Sequence, residues 1–196
     1  MRQYADDAAA LIESVGWSRC SVVGTSFGGM VAQHLAIHHS HLVERLVLNC
    51  TSPGGTKASF PLHTIEPLDV EARIELRLGL YDSRWDPGRD DPIPGLGRFY
   101  DQMIERWRIP RTGESLRGYR AQLEARSHHD LMASLHHIEA PTLVCAGEFD
   151  DLAPLANSLA LVEAIPDARL EVFDGGHLFL GQDRTAFPAI IDFLTG

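Results

Sequence analysis

The segment Val22-Val-Gly24-Thr-Ser26-Phe-Gly28 restricts the fold more than any other. A short β-rich run, Cys20-Ser-Val-Val-Gly24, leads directly into it, and helical periodicity through Gly28, Val31, Leu35 and His38 leads directly out. A serine on so abrupt a strand-to-helix turn must take unfavourable backbone angles. The flanking glycines, Gly24 and Gly28, are expected to let strand and helix pass closely enough to hold it there. Such a turn presents its hydroxyl at the carboxyl end of the strand, where open α/β sheets place their sites. The letters G-x-S-x-G are weak evidence by themselves, as the near miss Gly113-Glu-Ser115-Leu-Arg-Gly118 shows, and the plain alternative for Ser26 is a turn serine.

The rest of the chain repeats the alternation that the segment begins. Tyr4, Ala8, Leu11, Ile12 and Val15 recur at helical spacing, with Gly16 where a helix would stop. Leu46 to Cys50, Pro141 to Gly147 and Arg169 to Phe173 read as further short strands, and Leu155 to Ala164 as a helix. In a closing helix Phe187, Ile190, Ile191 and Leu194 share one face, and Pro188 is tolerable in its first turn. Strands alternating with helices predict an α/β fold, a parallel sheet covered on both faces. The interval from Thr51 to Pro141 is far longer than an ordinary connection. Three helices, around Val70 to Tyr81, Leu96 to Trp107 and Glu114 to Arg126, are expected within it, broken by the Pro, Gly and Asp-rich stretch Asp82 to Gly95. The chain therefore divides into a first core part (1–51), an inserted helical cap (52–135) and a second core part (136–196). Trp85, Phe99, Tyr100 and Trp107 either line a pocket under the cap or form its core, and Trp107, on a helical face with Met103, is expected in the core.

A serine hydroxyl is a poor nucleophile at neutral pH and needs a base within reach and a carboxylate to orient that base. Of ten histidines, His177 follows the last strand in a glycine-rich loop, Gly175-Gly-His177. The run Gly147-Glu-Phe-Asp150-Asp151-Leu-Ala-Pro154 follows another strand and carries the acid, with Glu148, Asp150, Asp151 and the later Asp174 all open as candidates. The order Ser, Asp, His is the one that nucleophile-elbow hydrolases use. The backbone N–H of Phe27 opens the helix after Ser26 and is expected to stabilise an oxyanion.

Other chemistries find less support. With 17 Lys plus Arg against 27 Asp plus Glu, the chain has a formal charge of -10, which disfavours nucleic acid as a partner. No apolar run approaches the roughly 18 residues of a membrane span, and the start lacks a secretory pattern, so a cytoplasmic chain with no membrane partner is expected. Cys20, Cys50 and Cys145 lie in or beside strands without metal or disulfide spacing and read as buried small hydrophobes. His34 with His38, and the pairs His128-His129 and His136-His137, read as exposed helix histidines; no metal and no cofactor is expected.

Together these segments resemble the α/β-hydrolase family. Gly24-Thr-Ser26-Phe-Gly-Gly resembles its nucleophile elbow, Gly147-x-x-Asp150-x-x-x-Pro154 its acid loop and Gly-Gly-His177 its histidine loop. Leu46-Val-Leu-Asn-Cys-Thr-Ser-Pro-Gly-Gly55 resembles the sixth-strand exit of the branch with proline iminopeptidases, 3-oxoadipate enol-lactonases and cofactor-free haloperoxidases. The resemblance implies a Ser26, Asp150, His177 triad, a helical cap, and hydrolysis of a small-molecule ester, lactone or small amide through an acyl-enzyme. It also implies that four earlier strands and a second oxyanion donor are missing, so the strand before Ser26 is expected to have an unpaired edge. A start assigned too late, a complementing chain, or a second copy at that edge would account for this. The competing reading is a non-catalytic module that assembles through the edge.

Overall fold

The computed structural model describes residues 1–86 and 96–196. Four parallel strands, β1 (Cys20–Thr25), β2 (Val43–Asn49), β3 (Thr142–Gly147) and β4 (Ala168–Phe173), lie side by side in chain order. Helices α1 (Arg2–Ser14), α2 (Phe27–His38), α6 (Leu155–Ala164) and α8 (Ala186–Thr195) cover them, and the short α7 (Phe179–Gln182) follows the loop after β4. Between β2 and β3 come α3 (Val70–Tyr81), α4 (Leu96–Arg108) and α5 (Gly113–Ser127). Of the connecting stretch Asp82 to Gly95, residues 87–95 lie outside the described residues.

The central strands are buried on both faces, which is why they read as continuous apolar runs rather than alternating ones. Leu46 and Leu48 of β2 and Val144 of β3 join one core with Ala5, Ala32, Leu35 and Leu161. Their neighbours Val47, Leu143 and Cys145 point the other way, into a second core with Phe173, Phe179, Ile190 and Phe193. Burying a leucine or valine so completely is worth roughly 1.5–3 kcal/mol each, which ties the strands to both helical layers. The outer strands are β1 and β4, and Val23 of β1 is 49% exposed. Among the described residues no helix is long and apolar enough to cross a membrane.

Two helices present a different face from the one their periodicity suggests. In α1 the buried residues are Ala5 and Ala9, with Ala8 and Ile12 partly buried, whereas Leu11 and Val15 are 63% and 52% exposed. Alanines let α1 approach α2 closely, and Tyr4 meets Phe27 edge-on at 5.3 Å. In α8 the buried stripe is Ala186, Ile190 and Phe193; Phe187 and Ile191 face outward at 56% and 54% exposure. Pro188 does lie in the first turn.

A third, smaller core forms around the helices between β2 and β3, with Leu178 from the loop after β4 packed against it. Ile74, Leu78 and Tyr100 are buried there, with Trp85, Met103 and Trp107 packed against them, while Phe99 is exposed. Asp69 caps α3 by accepting from the backbone of Glu71 (3.1 Å) and Ala72 (3.0 Å).

Candidate active site

Ser26 sits at the junction of β1 and α2 with φ +54° and ψ -116°, a region that residues with a Cβ rarely occupy. Hydrogen bonds on both sides of it hold the strained residue. Its N–H donates to Asn49 O (2.8 Å), and its carbonyl accepts from Gly29 N (2.9 Å) and from the Thr51 hydroxyl (2.8 Å). The close approach of strand to helix needs glycine at 24, where an added Cβ would lie 2.6 Å from Gly28 O and 2.7 Å from Ala32 Cβ. Gly28 does not share that duty, contrary to the sequence expectation, because a Cβ there meets nothing within 4 Å. The second tight position is Gly29, whose Cβ would strike the Thr51 side chain at 2.6 Å. The doubled glycine thus clears room for the hydroxyl that braces Ser26.

His177 places Nε2 2.9 Å from Ser26 Oγ and Nδ1 2.8 Å from Asp150 Oδ2. Asp150 is 2% exposed, and its other oxygen accepts from Leu152 N (2.9 Å) and Ala153 N (2.8 Å). A carboxylate so held offers His177 only acceptor lone pairs, so the imidazole proton resides on Nδ1 and Nε2 is free to accept from the serine hydroxyl. Of the four acidic candidates, Asp150 alone holds His177; Glu148 and Asp151 are exposed, and Asp174 pairs with Arg84 at 2.6 Å. The Phe27 amide opens α2, where helix geometry leaves N–H groups without an intrahelical acceptor.

The loops that carry acid and base are fastened to each other and to the end of α3. A Cβ on Gly147 would collide with the carbonyls of Gly175 and Gly176, so β3 and the histidine loop touch backbone to backbone. Leu80 O accepts from Asp151 N (3.0 Å) and Leu152 N (2.8 Å), Ser83 N donates to Phe149 O (2.9 Å), and His177 N donates to Tyr81 O. The Tyr81 ring stands 5.1 Å from the His177 ring and meets Trp107 edge-on at 5.4 Å. Leu80 and Tyr81 carry no site signal in the sequence, and Thr51 enters only within the segment Leu46 to Gly55; the pairing of β1 with β2 is what brings it to Ser26.

Cys50 lies behind the relay with φ +39° and is 1% exposed. Its sulfur, an Asp150 oxygen and a His177 nitrogen fall within 4.8 Å of one another, the one such group among the described residues. The set suits a metal poorly. Burial and the nearby Asp150 push the Cys50 thiol well above its usual range, and both His177 nitrogens are already engaged. The other histidines divide. His128, His136 and His137 are exposed as expected, but His129 is 4% exposed with Nε2 3.1 Å from Ser52 O, and its ring lies 5.5 Å from that of half-buried His34. Burial lowers the pKa of both His129 and His34 to about 4, and each retains an Nδ1 with no described partner.

The model of the "Alpha/beta hydrolase family" matches residues 2–189. A poly(3-hydroxyalkanoate) depolymerase of Ectopseudomonas oleovorans is 30% identical over 95% of this chain and 64% of its own length. A 2-hydroxy-6-oxo-6-phenylhexa-2,4-dienoate hydrolase of Comamonas testosteroni is 33% identical over 94% of this chain and 65% of its own. The chain thus spans just under two thirds of both relatives. The crystal structure of a hydrolase from Pseudomonas aeruginosa PA01 superposes with a TM-score of 0.74 at 27% identity, covering 98% of this chain and 71% of that one. The chain belongs to the alpha/beta hydrolase family.

Proposed function

We propose that this family member is a serine hydrolase that cleaves a carboxylic ester, lactone or small amide through an acyl-enzyme. The observation that carries the reading is the unbroken relay Asp150 Oδ2, His177 Nδ1, His177 Nε2, Ser26 Oγ, with steps of 2.8 and 2.9 Å, ending on a strained serine. As Ser26 Oγ attacks the carbonyl carbon, His177 Nε2 takes the hydroxyl proton, and Asp150 stabilises the imidazolium. The Phe27 N–H stabilises the oxyanion at the start of α2. His177 then protonates the leaving alkoxide or amine. In the second half His177 deprotonates water, which attacks the acyl carbon, and the proton returns to Ser26 Oγ. Every proton in the cycle passes through one nitrogen, and no organic cofactor enters the scheme. The relatives named as depolymerase and hydrolase support bond-cleaving chemistry with water and leave the acyl and leaving groups to this chain's own residues.

A fluorophosphonate probe tests the assignment. It is expected to label the chain on one residue, Ser26, with labelling abolished in S26A. Labelling that survives S26A, or its absence in the wild type, overturns the reading.

A further inference from the structure

We infer that the cleft one turn along α2 from Ser26 receives an anionic group of the substrate, with Arg126 as the residue that selects it, so that the preferred substrate is an ester or lactone carrying a free carboxylate. The inference rests on the hydrolase reading above and deepens it. The cleft has a volume of about 80 Å³ and is partly open to solvent, with Met30, Ser52, Ser59, Phe60, Leu123 and Arg126 among its walls. Two of these walls belong to the surroundings of the serine. Met30 lies four residues beyond Ser26 on α2, about one helical turn. Ser52 follows Thr51, whose hydroxyl donates to the Ser26 carbonyl.

Arg126 is partly buried at the end of α5, and its Nη2 donates to Ser59 Oγ at 2.7 Å. Ser59 is 8% exposed and is itself fixed, its N–H donating to Ser52 Oγ at 3.2 Å. A guanidinium has five N–H donors, and this hydrogen bond is the one that Arg126 makes among the described residues. No described carboxylate pairs with it, and none lines the cleft, although the chain holds 27 acidic residues against 17 basic ones. Its situation contrasts with Arg77, Arg84 and Arg108, which pair with Glu66, Asp82 and Glu71. Burial is the largest effect on Arg126 and lowers its pKa, with Arg77 adding to it, while Tyr81, Asp150 and Tyr119 act in the opposite direction without making an ion pair to it among the described residues. A carboxylate entering the cleft would supply the missing counter-charge and match the planar fork with two parallel hydrogen bonds. The apolar walls Met30, Phe60 and Leu123 suit the carbon chain joining that carboxylate to the scissile bond.

The purely structural role for Arg126, pinning α5 to the loop through Ser59, makes a different prediction: no dependence on substrate charge. The test compares kcat/KM for mono-p-nitrophenyl glutarate with p-nitrophenyl butyrate, and for 4-(acetoxymethyl)benzoate with benzyl acetate. These pairs place the carboxylate on the acyl and leaving sides respectively. The wild type is expected to favour the charged member of one pair at least tenfold, R126Q to lower that ratio at least tenfold, and R126K to retain part of it. Titration calorimetry with glutarate gives a readout independent of turnover: binding to the wild type, at least tenfold weaker to R126Q. Ratios near one in both wild-type pairs, or a preference unchanged in R126Q, overturn the inference. If no ester is turned over and the phosphonate fails as well, the hydrolase reading falls instead, and the glutarate titration decides the anion site alone. Should R126Q not fold, the wild-type ratios together with competition by glutarate against p-nitrophenyl butyrate decide it, and absence of both overturns it.

Discussion

Replacing Asp150 by asparagine changes one atom, and the structure says which way the new amide must point. The Asp150 oxygen that faces Leu152 N and Ala153 N accepts two backbone hydrogen bonds at 2.9 and 2.8 Å. In D150N the amide oxygen keeps these, so the NH₂ group is turned toward His177 Nδ1, 2.8 Å away in the native protein. A donor there forces Nδ1 to accept, which moves the imidazole proton to Nε2 and removes the base from Ser26 Oγ. The opposite orientation restores the correct tautomer but sets NH₂ against two buried N–H groups. At about 1–3 kcal/mol for each unsatisfied group, that flip costs about 2–6 kcal/mol. The competent form then falls to between about 1 in 30 and 1 in 10⁴ of the population, and the rate of phosphonate labelling at Ser26 falls with it. The measurement is the second-order labelling rate, with a circular-dichroism melt to confirm that the variant is folded. D151N, at the exposed neighbour, is expected to stay within about threefold of the wild type. A folded D150N that labels at more than a third of the native rate, or a D151N that falls equally, refutes the reasoning.

Three further outcomes follow from the packing and the buried groups. G24A, whose Cβ would press on the Gly28 carbonyl at 2.6 Å, is expected to lose about 1–3 kcal/mol, whereas G28A meets no atom and should be neutral or gain up to about 1 kcal/mol; urea midpoints of the two variants check the contrast. His129 and His34 titrate near pH 4 when folded against 6.5 when unfolded, so in that window the unfolded chain binds more protons. Their contribution is full above pH 6.5 and is lost as pH falls through 4, about 3 kcal/mol for His129 and less for His34. The urea midpoint should therefore drop over that range and drop less steeply in H129Q; a flat native profile contradicts the burial. Iodoacetamide should modify partly exposed Cys20 in the native state but reach Cys50 and Cys145 only after denaturation, since burial holds the Cys50 thiol well above its usual pKa and pushes that of Cys145 up to about 12; peptide mapping before and after urea decides it.

The sequence made the architecture and the relay legible because each rests on local signals. Apolar runs of strand length, a serine between strand and helix, and a histidine after the last strand are all read within ten residues or so. What stayed hidden depends on packing between segments. In α8, Ala186, Ile190 and Phe193 have the same spacing as Phe187, Ile191 and Leu194, so periodicity yields two adjacent stripes and only the sheet chooses between them. In α1 the buried face is made by Ala5 and Ala9, with Ala8 and Ile12 partly buried, and not by Leu11 and Val15. The same limit explains Gly28 and Gly29. Both glycines are visible, but only the Thr51 side chain, more than twenty residues away, makes the second one necessary. His129 reads as one of an exposed pair until Ser52 and His34 close over it.

The end of α3 and the residues just after it are tied to both loops: Leu80 and Ser83 hydrogen-bond the aspartate loop, and Tyr81 the histidine loop. The helices after β2 and the loops that carry Asp150 and His177 thus share one hydrogen-bonded joint. Chimeras that exchange the helices after β2 for those of another hydrolase should tolerate new residues along most of α3 to α5 yet fail when the crossover falls within 80–83. Directed evolution of selectivity would meet the same boundary, with beneficial changes thinning out as they near Tyr81.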